Sequence, residues 1–85
     1  MEVNLNAKVN IYKGMIEYVL QTTDYNLKRI AHLSNSSIGN IKMIYSYGEI
    51  PEDFKEEMDL VRLYMMILDM QRKRNEFRPY KLYAW

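Results

Sequence analysis

Cysteine is absent from this 85-residue chain, which removes disulfides and the common structural zinc frameworks. The expected compartment is the cytosol. Histidine occurs once, at His32, and nothing near it has the spacing of metal ligands, so an exposed helix residue is expected there. No nucleophile with a base, paired carboxylates in a cleft, phosphate loop or metal cluster is visible in the sequence. An enzyme is not expected, and neither is a cofactor. Long apolar runs are missing too, because Arg62 and Asp69 interrupt the most apolar segment, and the N-terminus lacks a basic-then-apolar signal pattern. A soluble, unprocessed chain without membrane contact is expected.

What is present fits one small globular domain over residues 1–85. A chain of this length fills a single hydrophobic core, and 48% apolar content is globular rather than disordered. Net charge is only +1, but its distribution is uneven. Residues 25–48 hold Lys28, Arg29 and Lys42 with no acid, whereas residues 49–59 set Glu49, Glu52, Asp53, Glu56, Glu57 and Asp59 against Lys55 alone. The first stretch is a basic island. Ordinary segregation of surface charge is the competing account.

Hydrophobic period divides the chain. Val3, Leu5, Ala7, Val9 and Ile11 alternate with polar residues, a period of two that predicts a short strand, any strands being confined to the termini. From about Asn10 the spacing becomes helical and predicts a helix over 11–22, ending in Thr22-Thr23-Asp24. Gly14 inside it signals either a close neighbour or a weak spot. A long fourth helix is expected over 52–74, with Pro51 suited to its first turn, Glu52 and Asp53 to its positive end and Arg72, Lys73 and Arg74 to its C-terminus. Phe54, Met58, Val61, Met65 and Leu68 form one apolar stripe, and Leu60, Leu63, Ile67 and Met70 another nearly opposite. Two stripes need two covers. A second subunit gripping Leu60, Leu63, Tyr64, Ile67 and Met70 is the expected second cover, making a homodimer; the alternative is a monomer in which the first helix and the terminal segments wrap around and cover both faces. The tail 75–85 interleaves Phe77, Tyr80, Leu82, Tyr83 and Trp85 with Arg78 and Lys81. Such a tail grips a protein partner or nucleic acid, or lays its rings on its own domain.

Between these parts, residues 26–46 read as two short helices, over 27–33 and 37–46, with a polar break at Ser34-Asn35-Ser36. Asn26 is placed to cap the first, with Tyr25 and Ile30 as a hydrophobic staple, and Ser36 or Ser37 to cap the second. Asn35 is the candidate for the positive φ that the turn requires. Gly48 ends the second helix. Ala31 is small where the helices must pass closely, Ile30 and Leu33 flank it, and Ile41 and Ile44 give the second helix a buried side.

This pattern of Ala31, Asn35, Ser37, Ile41 and Ile44 resembles the helix-turn-helix of bacterial repressors, both the lactose-repressor type and the phage Cro/repressor type. Asn35 stands where that family usually has Gly, and Ser36 where it is usually apolar. The resemblance implies a mainly α bundle of about four helices, with the 11–22 helix packed across the pair. It also implies a DNA-binding transcriptional regulator whose second helix enters the major groove of double-stranded DNA. The implied contacts are Lys28, Arg29, Ser36, Ser37, Ile38, Gly39, Asn40, Lys42 and Met43. Lys28, Arg29 and Lys42 would neutralise phosphates, while Ile38 and Met43 would meet thymine methyl groups. The set is poor in bidentate base readers. A protein-interaction module, or an accessory subunit without DNA contact, is therefore the alternative.

Overall fold

The structure, a computed structural model, describes residues 5–76, with side chains from 7 to 74. It is mainly α: α1 (Leu5–Thr22), α2 (Leu27–Leu33), α3 (Ile38–Tyr47) and α4 (Glu57–Glu76). No strand occurs among the described residues, so the strand expected from the alternation at 3–11 is replaced, from Leu5 onward, by the first turns of α1. A helix satisfies its own backbone hydrogen bonds, whereas a lone strand leaves its edges unpaired. On the helix the alternating residues separate: Val9 joins the buried face with Tyr12, Ile16 and Val19, while Ala7 and Ile11 turn outward.

α1 is the element on which the others pack. It lies against α4 and α3 and touches α2, and α2 in turn packs on α3. The core joins Val9, Tyr12, Met15, Ile16 and Val19 of α1 to Ile30 and Ala31 of α2, Ile41 and Ile44 of α3, and Leu60, Leu63 and Ile67 of α4. Each large apolar side chain removed from water there contributes roughly 1.5–3 kcal/mol. A Cβ added at Gly14 would meet nothing within 4 Å, so this glycine marks a weak spot in α1 and not a close approach.

α4 starts later than its sequence suggests. Pro51 belongs to a turn that Phe54 closes by donating its N–H to the Pro51 carbonyl at 3.1 Å, and the helix begins at Glu57, after Glu56 accepts the first backbone bond from Leu60. The Phe54 ring is drawn inward against Tyr12, with centroids 5.8 Å apart and planes tilted by 60°. Tyr12 is buried, and that burial, reinforced by a hydrogen bond to Glu57, pushes its phenol up to about 12.

The two stripes of α4 are covered differently from expectation. Leu60, Leu63 and Ile67, assigned to a subunit contact, are buried within their own chain against α1, and the half-buried Tyr64 ring meets Tyr18 edge-on at 5.5 Å. Of that set only Met70 is exposed. The uncovered face carries Met58, Met65, Met66 and Leu68 instead. Among the described residues no helix is long and apolar enough to cross a membrane. The aromatic and basic residues of the tail, Phe77 to Trp85, lie outside the described residues.

Candidate nucleic-acid interface

The α2–α3 unit is held by bonds that its own sequence supplies. Asn26, in extended conformation, accepts the Arg29 N–H on its side-chain oxygen at 2.8 Å, so the first turn of α2 opens with a filled cap. Ser37 does the same for α3, accepting the Asn40 N–H at 3.0 Å. The turn between them follows the C-terminal pattern in which a left-handed residue reverses the chain. Asn35 is that residue, with φ of 58°; its N–H reaches the His32 carbonyl at 3.2 Å, and the Ser36 N–H reaches the Ala31 carbonyl at 2.8 Å. Gly48, with φ of 67°, closes α3 by donating to Ile44.

The break between the helices is polar yet packed. Ser34 is fully buried, and its hydroxyl donates to the Ile30 carbonyl at 2.8 Å, with the Ser36 hydroxyl 3.2 Å away. Ser36 in turn donates to the Ser34 carbonyl at 3.3 Å. The mutual arrangement of the two serines accounts for a hydroxyl where an aliphatic was expected. It also commits Ser36, one of the anticipated contacts, to the turn itself. Asn35 reaches toward Asp59 of α4 at 3.5 Å, the outer limit of a hydrogen bond.

α3 has two sharply different sides. Ile41 and Ile44 are fully buried, and the half-buried Tyr45 donates its hydroxyl to the Glu17 carboxylate of α1, a bond that raises the phenol above its usual range. The outward side brings together Ile38, Gly39, Lys42 and Met43, all exposed, with Ser37 at its leading end. Asn40 is half-buried at the edge of this side, its N–H occupied by Ser37. Ser46 and Tyr47 extend the same exposed side by another turn, and Tyr47 is 69% exposed. The helical spacing that runs through residues 38, 39, 42 and 43 continues to 46 and 47, and was the available signal for them.

Lys28 and Arg29 are exposed on the first turn of α2, where the Arg29 guanidinium lies 5.8 Å from the centre of the Tyr25 ring. His32 is exposed on the same helix and borders a shallow groove with Tyr25, Asn26, Lys28 and Arg29. Asp24 is the one acid on that groove among the described residues. Among the described residues no three His, Asp or Glu side chains converge as a metal site would require. The arrangement offers an exposed helix face with one cation, two further cations on the neighbouring helix, and backbone anchored from behind. No protein-family model, curated protein or solved structure matches this chain.

Proposed function

We propose that the chain is a sequence-specific DNA-binding transcriptional regulator of the cytoplasm, which inserts the outward side of α3 into the major groove. The observation that carries this reading is the division of α3. Ile41 and Ile44 are sealed into the core while Ile38, Gly39, Lys42 and Met43 stand free on the opposite side, and no acid occurs from residue 25 to 48. A helix wedged from behind and bare in front is what groove entry requires. Lys28, Arg29 and Lys42 neutralise phosphates, Gly39 admits close approach, and Ile38 and Met43 touch thymine methyl groups.

Selection of random duplexes by gel shift, repeated over a salt series, tests the reading. Lys42→Ala is expected to weaken binding to all duplexes and to reduce the salt slope by about one unit, while Ile38→Ala changes sequence preference with the slope retained. Absence of salt-dependent retention on any duplex would sink the proposal.

One observation favours a second reading, a protein-interaction module. The exposed side of α3 is more apolar than charged, since Ile38, Met43 and Tyr47 share it with Lys42 as its only charge. If Lys42→Ala and Ile38→Ala leave DNA retention untouched but disturb capture of a protein, this second reading is the right one.

A further inference from the structure

The outward face of α4 is apolar at its centre. Met58, Met65 and Met66 are 67%, 56% and 51% exposed. Charged residues border these methionines in a definite order: Asp59 and Arg62 precede Met65 and Met66, and Asp69 and Arg72 follow. About the midpoint between Met65 and Met66, Asp59 mirrors Arg72 and Arg62 mirrors Asp69. Reversing the helix therefore sets every acid of this series against a base. At 100° per residue the six positions lie within about 140° of arc, so they share one face. Lys73 lies within the same arc, and its mirror position is Met58, so it adds a cation but opposes no like charge.

We propose that two copies of this chain pair antiparallel through this face of α4, with a two-fold axis passing between Met65 and Met66. The methionines meet at the axis, Arg62 faces the partner's Asp69, and Asp59 faces the partner's Arg72. A two-fold contact must be complementary to itself, and this series satisfies that condition in one orientation only. Parallel pairing sets Asp59 and Arg62 each opposite its own copy. Antiparallel pairing opposes unlike charges throughout.

Within the single chain the same charges form short-range pairs, Arg62 to Asp59 at 3.1 Å and Arg72 to Asp69 at 3.3 Å, with Lys73 also 3.5 Å from Asp69. Both arginine side chains are 74% exposed, against 30% for Asp59 and 47% for Asp69, so the arginines are free to turn and these largely solvated i,i+3 pairs hold little energy. Turning toward a partner costs them little. Methionine suits the centre because its unbranched, polarisable side chain adapts to an identical neighbour. The proposal rests on α4 and is independent of what α3 binds.

Sedimentation equilibrium of the full chain over the micromolar range, without DNA, tests it. A reversible monomer–dimer equilibrium is expected. Arg62→Asp and Asp69→Arg should each weaken association about tenfold or more by setting like charges together. The double variant should recover association, because its exchanged charges oppose again, and an equimolar mixture of the two single variants should associate more tightly than either alone. Far-UV circular dichroism checks that each variant keeps its helices; if one does not, Met66→Ser probes the same face and should also weaken the dimer. Three outcomes would overturn the proposal: a monomer at every concentration, a dimer indifferent to these single substitutions, or a double variant weaker than both singles. Because no DNA is present, none of them bears on the role of α3.

Discussion

α3 and α4 each hide one side and expose the other, yet they are built by different means. α3 is bounded by its own residues, with the Ser37 side chain filling its start and Gly48 in left-handed conformation closing its end. The start of α4 follows the turn in which Phe54 packs on Tyr12, with Glu57 and Asp59 at the positive end of the helix dipole. Their outer faces differ as well. α3 shows Ile38, Met43 and Tyr47 around a single cation, whereas α4 shows methionines framed by mirrored Asp and Arg residues. A locally specified helix stays where its caps put it and can present a fixed face to a ligand. A helix positioned by tertiary contacts shifts its boundary with those contacts.

The sharpest way to break this comparison is to charge the hidden side of α3. Ile41→Asp places a carboxylate at a position with no solvent exposure, in the apolar core with Ile30, Ile44 and their neighbours. A loss of about 3–5 kcal/mol, enough to abolish the cooperative transition of so small a domain, is expected in urea or heat denaturation. Met43→Asp, one turn face away and 37% exposed, should leave the midpoint nearly unchanged. Equal damage from both would mean that the two sides of α3 are not distinct.

Next in size is the support of α4. Phe54→Ala removes a half-buried ring from Tyr12 and should cost about 1–3 kcal/mol, with hydrogen exchange quickened first in the opening turn of α4. If exchange there is unchanged, α4 is locally specified after all. Tyr12 gives the same contact a pH signature. Its phenol titrates at about 12 in the fold and near 10 when unfolded, so the folded chain holds the proton that the unfolded chain has lost. The stabilisation is complete below about pH 10 and is lost as pH rises through about 12. Tyr12→Phe should remove this contribution to the alkaline decline, leaving the one from Tyr45, whose phenol is also raised by its hydrogen bond to Glu17.

Legibility in the sequence follows the same division. Asn26, Asn35, Ser37 and Gly48 were readable because capping and positive φ are properties of a few adjacent residues. The start of α1 was not, since the alternation through Ala7, Val9 and Ile11 is compatible with either period until one knows that no strand pairs with it in the described fold. The start of α4 differs for a similar reason: Pro51 and Glu52 suit a first helical turn, but Phe54 closes a separate turn on Pro51 and packs its ring on Tyr12, a contact distant in sequence. Both apolar stripes of α4 are legible in the sequence, but not which of them the chain's own helices cover. A signal was available in their composition, because Leu60, Leu63 and Ile67 are branched aliphatics and the exposed positions are largely methionine. At the candidate interface the positions through Met43 followed from the resemblance, while Ser46 and Tyr47 required the exposed side of α3 to be traced to its end.

The smallest expected effect separates structure from recognition at one residue. Ser37 caps α3 through its side-chain oxygen and also stands exposed at the leading end of the proposed DNA face. Ser37→Ala leaves the Asn40 N–H without its partner and should cost about 1 kcal/mol of stability, close to 5 °C in the midpoint for a domain of this size. Ser37→Asn keeps an oxygen in capping reach and should restore most of that loss. DNA binding then divides the possibilities. If Ser37 acts only as a cap, affinity follows stability, falling for the alanine variant and recovering for the asparagine variant. If it meets the duplex, the asparagine variant regains stability but keeps an altered affinity or sequence preference, because a longer amide has replaced the hydroxyl at the groove. Affinity measured well below both midpoints, where each variant is fully folded, makes that distinction without interference from unfolding.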